Sequence, residues 1–117
     1  MNFKHITINV TDLERSIAFY EEVAELTVQR RIEAGPAKLA FLSDEEGDTE
    51  IELLQYPGRK YEGKGMFLCF ACDKLDAMHE LVTKKDMHPS PIQEPDDSTR
   101  YFYVYDPDGV SVQLRSF

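Results

Sequence analysis

The sequence predicts an α+β fold built from two βαβββ modules, and three observations carry that reading. A strand pattern over residues 2–10 runs into a helix opening at Asp12-Leu13, and a second strand pattern over residues 66–72 runs into a helix opening at Lys74-Leu75, 62 positions later. Each helix is followed by extended segments ending in an apolar-rich strand. Asp106-Pro107-Asp108-Gly109 lies between two strand-like runs and closes a β-hairpin. One such module cannot cover both faces of its own sheet, so two are expected to pack together, within a chain or between chains.

The elements follow from local pattern. Along the first strand Ile6, Ile8 and Val10 alternate with His5, Thr7 and Asn9, so the two sets face opposite sides. Thr11-Asp12-Leu13-Glu14 fits a capping box, with the Thr11 hydroxyl on the amide of residue 14 and Glu14 reaching back. The helix runs to about Val23 and sets Leu13, Ile17 and Tyr20 on one stripe. Strands are expected over residues 27–33, 37–42 and 49–56, with turns at Gly35-Pro36 and at the acidic run 44–48 containing Gly47. Residues 57–65 mix Pro57, Gly58, Gly63 and Gly65 with charges and read as a linker between a first module, 1–56, and a second, 66–117.

In the second module Asp73 is the expected N-cap of a helix whose stripe is Leu75, Met78, Leu81 and Val82. The three prolines of residues 88–95 restrict that stretch to an edge strand or a loose connector. In the final turn Asp106 can accept from the backbone two residues on, Pro107 presets φ, and Gly109 takes positive φ without penalty. His79 and His88 read as solvated surface.

At 117 residues the chain makes one domain, or two half-domains sharing a core. Its net charge of −9 repels phosphate backbones and anionic lipid, so neither nucleic acid nor membrane is an expected partner. There is no apolar run of about 18 residues and no apolar leader ahead of the first strand, which makes a cytoplasmic location the expectation. Cys69 and Cys72 have CxxC spacing, but residues three apart on a strand diverge, so both read as buried, reduced thiols.

His5-Ile6-Thr7-Ile8-Asn9-Val10-Thr11-Asp12-Leu13-Glu14-Arg15-Ser16-Ile17-Ala18-Phe19-Tyr20 is similar to the opening H-x-x-x-x-V-x-D-L-x-R-S-I-x-F-Y of the glyoxalase I / bleomycin-resistance / extradiol dioxygenase (vicinal oxygen chelate) superfamily. Ile51-Glu52-Leu53-Leu54 resembles that family's fourth strand, and Asp106-Pro107-Asp108-Gly109 its last turn. The resemblance implies paired βαβββ modules whose curved sheets enclose a cleft. It also implies four inward positions that hold a metal in metal-using members; here they fall on His5, Glu52, Phe67 and Gln113.

His5 and Glu52 could ligate Zn²⁺, Ni²⁺, Mn²⁺ or Fe²⁺, Gln113 offers a neutral oxygen, and Phe67 offers nothing. No metal is therefore expected. His5 then reads as an imidazole hydrogen-bonded to a neighbour such as Glu52, and Glu52 as that partner or as a catalytic base. Strand parity adds Thr7, Asn9, Leu54, Cys69, Tyr101 and Tyr103 to the cleft, the tyrosines serving a ligand or ordinary packing. Glutathione-using members often carry Arg where this chain has Asn9, which argues against a glutathione conjugate as substrate. Two functions lead: a homodimer binding a small aromatic or amphipathic molecule without metal, or a metal-dependent lyase/isomerase of glyoxalase I type, with a pure interaction module as a weaker third.

Overall fold

The computed structural model describes residues 1–45 and 47–117. The chain divides into two compact units, Met1–Glu62 and Gly63–Phe117. In the first, β1 (His5–Asn9), α1 (Leu13–Val23), β2 (Thr27–Ala34), β3 (Ala37–Ser43) and β4 (Glu50–Gln55) follow in order. The second repeats the plan as β5 (Phe67–Ala71), α2 (Leu75–Lys84), β6 (Gln93–Asp96), β7 (Thr99–Tyr105) and β8 (Ser111–Ser116). Each unit is thus a βαβββ module, and each forms one mixed four-stranded sheet, ordered β1-β4-β3-β2 and β5-β8-β7-β6. First and last strands pair in parallel, the remaining neighbours antiparallel.

Period-2 alternation gives each sheet an apolar face for its helix. In the first unit Ile8, Ala40, Leu42, Ile51 and Leu53 are buried, and α1, packed on β3 and β4, adds Leu13, Ile17, Tyr20 and Val23. The capping differs from the box expected. Asp12, in an extended conformation, accepts from the Arg15 amide at 3.2 Å and is the N-cap, one residue later than Thr11. Glu14 forks onto Arg31 of β2 at 2.7 and 3.1 Å, a stronger partner than a lone amide, rather than reaching back. The Leu13 amide donates to Gln55 Oε1 at 2.7 Å, so the end of β4 satisfies another donor of the helix start. The expected turn over 44–48 includes residue 46, which lies outside the described residues.

In the second unit Lys74, not Asp73, is the N-cap of α2, and it makes no side-chain cap. In the first turn, the Asp76 carboxylate accepts a fork from Arg100 of β7 at 2.9 and 3.0 Å, and Arg100 also donates to Glu94 of β6. Leu75, Met78 and Val82 are buried as the stripe requires, with Leu81 half-buried. The proline-rich stretch resolves into an irregular edge strand with Pro95 at its disruption. His79 is not solvated: its Nε2 lies 2.8 Å from the Ser90 carbonyl, and its ring stands edge-on to the fully buried Phe102. Ser90 in turn bonds both backbone groups of Tyr103, which anchors the connector on β7. Among the described residues, no helix is long and apolar enough to cross a membrane.

The terminal turn forms as its residues dictate. Asp106 Oδ1 accepts from the amides of Asp108 and Val110 at 2.8 and 2.9 Å, and Gly109 takes φ +91°. The pairing of β7 with β8 that it closes has no bulge.

Candidate functional site

In each unit the candidate residues occupy the sheet face turned away from the helix. In the first, parallel register sets His5 opposite Glu50, Thr7 opposite Glu52 and Asn9 opposite Leu54, while Phe41 of β3 pairs with Glu52. Register therefore gives Glu52 to Thr7, whose hydroxyl donates to Glu52 Oε1. His5 Nε2 lies 3.8 Å from the same oxygen, too far for the hydrogen bond expected between them. The imidazole instead stands edge-on to Phe41, ring centroids 5.5 Å apart. Glu52 is mostly covered, its side chain 15% exposed against 41% for His5. The Asn9 Oδ1 is buried with no hydrogen-bond partner among the described residues.

Two further charged groups belong to this face. Arg30 lies 3.9 Å above the Phe41 ring and forks onto Glu50 at 2.9 and 3.0 Å, which holds the Glu50 carboxyl below its ordinary range. Glu50 was legible, since it shares parity with Glu52. Arg30 was not, because a bulge between Val28 and Arg30 shifts the alternation of β2.

In the second unit Cys69 and Tyr103 flank Gln113, and Ala71 and Tyr101 flank Arg115. Gln113 is 4% exposed and its Nε2 donates to Tyr103 Oη at 3.1 Å. Phe67, 49% exposed, meets Tyr103 edge-on at 5.3 Å, and Tyr101 meets Tyr103 at 5.7 Å. The result is an aromatic cluster around one amide. Cys72, just beyond β5, is buried, but Cys69 is exposed on the Phe67 side, contrary to the expectation for it; neither forms a disulfide. Partial burial pushes the Cys69 thiol up, against the pull of the Arg115 charge. Arg115 was missed, although its parity with Gln113 on β8 marks it.

Toward a divalent ion, the first unit's face offers one imidazole and one carboxylate, and the second unit's face offers one neutral amide beside a phenyl ring that offers nothing. Glu50 is held by Arg30. Among the described residues, no group of three or more His, Cys, Asp or Glu side chains is placed to hold a metal. Neither unit's donor set fits such an ion.

The model of the Glyoxalase/Bleomycin resistance protein/Dioxygenase superfamily matches residues 2–114. The uncharacterized protein YwbC of Bacillus subtilis is 36% identical, with 94% of this chain and 93% of that protein covered. The lactoylglutathione lyase of Haemophilus influenzae is 33% identical, covering 97% of this chain and 91% of the enzyme. Among solved structures, the trypanothione-dependent glyoxalase I of Leishmania major superposes with a TM-score of 0.80 at 28% identity, covering 99% of this chain and 86% of that one.

Proposed function

This chain belongs to the glyoxalase/bleomycin resistance protein/dioxygenase superfamily, and from that premise we propose that it is a cytoplasmic homodimer that binds a small aromatic or amphipathic molecule without a metal. The observation that carries the reading is the cluster on β5, β7 and β8. Phe67 and Gln113 stand where the family resemblance puts two ligands, and both are engaged with Tyr103 instead, one by its ring edge and the other by its amide. Tyrosine faces, a half-exposed phenyl ring and one oriented amide suit a planar apolar body carrying a polar group. Exposed Phe3, Phe67 and Tyr105 favour a second copy covering apolar surface, and two cysteines outside any disulfide suit a reducing compartment.

A second reading has its own support. His5 and Glu52 lie on one face, and a relative at 33% identity is a lactoylglutathione lyase. Under it the chain is a lyase/isomerase of glyoxalase I type, with Glu52 as the base that moves the substrate proton. Metal analysis of the purified protein after incubation with Zn²⁺ or Ni²⁺, with an assay on a glutathione hemithioacetal, separates the two. The binding reading expects substoichiometric metal and no turnover above background. One retained ion per chain with turnover would hand the function to the enzyme.

A further inference from the structure

Arginines of the β-strands in this acidic chain are paired with carboxylates, with one exception. Arg30 forks onto Glu50, Arg31 onto Glu14, and Arg100 onto Asp76 while also donating to Glu94. Arg115 of β8 has no carboxylate partner among the described residues, and its Nε is buried without a hydrogen-bond partner there. Its guanidinium lies 5.9 Å from the Tyr101 ring centroid and 5.2 Å from that of Phe117, so aromatic faces border it. A buried N–H left unmade is costly, and a net charge of −9 makes carboxylates plentiful elsewhere on the chain. A cation without a carboxylate partner among the described residues, beside aromatic rings on the candidate face, suits an anion supplied by a ligand.

We propose that Arg115 binds the carboxylate of an aromatic carboxylic acid whose ring lies against Tyr101, Tyr103 and Phe67. The inference rests on the binding function proposed above and narrows its ligand class. The stoichiometry of charge favours a monoanion: Arg115 is the sole cation among the β5, β7 and β8 residues in register on that face, so a phosphate dianion would be half compensated. The two terminal Nη groups of the planar guanidinium match the two oxygens of a carboxylate, and such charge-assisted pairs are the strong ones.

The test compares 2-naphthoate with 2-naphthamide, which share a ring system and differ in charge, by calorimetric titration. Backbone amide shifts of Tyr101, Gln113 and Arg115 locate the binding. The unmodified protein should bind naphthoate about tenfold or more tighter than naphthamide. Arg115→Gln should bring naphthoate down to the naphthamide affinity and leave naphthamide unchanged; Arg115→Lys should restore part of the preference. Equal affinity of the unmodified protein for the two probes overturns the role of Arg115 and leaves the binding function standing. Failure of both probes to shift this face overturns the ligand class and that function together. The comparison of probes on the unmodified protein holds even if the variants fold poorly.

Discussion

The Asp106 carboxylate holds the closing hairpin, and its removal has a cost that can be worked out. Asp106 is 5% exposed, and its Oδ1 takes the amides of both Asp108 and Val110. In Asp106→Ala the Val110 amide, bonded in a buried position, loses that partner, at about 1–3 kcal/mol. The Asp108 amide is part-buried and can turn to water, so its loss is nearer 0.5–1 kcal/mol. About 1.5–4 kcal/mol follows, a large fraction of the stability of a small domain. With a urea slope of about 1–3 kcal/mol per molar, the unfolding midpoint should fall by roughly 0.5 M or more. Asp106→Asn keeps an acceptor oxygen and should lose less than about 1 kcal/mol. Equal losses in the two variants, or a loss below about 0.5 kcal/mol in the alanine variant, would refute the assignment of that energy to the two amides. Urea unfolding followed by circular dichroism reads both. Because this turn sets Gln113 opposite Tyr103, the alanine variant should also weaken binding on the second unit's face.

Three other outcomes are expected. Phe67→His with Gln113→Glu puts two metal donors on the second unit's face, so calorimetric titration should find Zn²⁺ or Ni²⁺ bound at least about tenfold more tightly than by the unmodified protein; no gain would mean that ligand count is not what limits metal binding. Hydrogen bonds from Arg100 hold the Asp76 carboxyl below its ordinary range, so this contribution to stability is complete at neutral pH and is lost as pH falls through the lowered folded value. The midpoint difference between the unmodified protein and Arg100→Met should therefore narrow in acid and in high salt, and a gap independent of pH would count against the pairing. Sedimentation at tens of micromolar should give a dimer, with a monomer excluding the proposed assembly.

What could be read from the sequence is what local chemistry determines. Alternation put His5, Thr7 and Asn9 on one face and Ile6, Ile8 and Val10 on the other, because side-chain direction along a strand depends only on the pleat. The 3.6-residue stripe of Leu75, Met78 and Val82 and the Asp106 turn are likewise properties of neighbours in the chain. The repeat of 62 positions revealed two modules, since each copy carries its own local signals.

Partnership across strands depended on register and bulges, which involve residues far apart in sequence. Glu52 belongs to Thr7 rather than His5 because β1 and β4 pair with those two opposite each other. Arg30 reaches Glu50 and Phe41 because a bulge displaced it from the alternation. Asp12 supplanted Thr11 as the cap while β2 offered Glu14 an arginine, and His79 was drawn inward by the Ser90 carbonyl. Composition could not single out Arg115 from the other arginines. The tertiary structure decides which cations find carboxylates, and it leaves this one beside aromatic rings with a buried donor, because charge pairing follows distance in space and not along the chain.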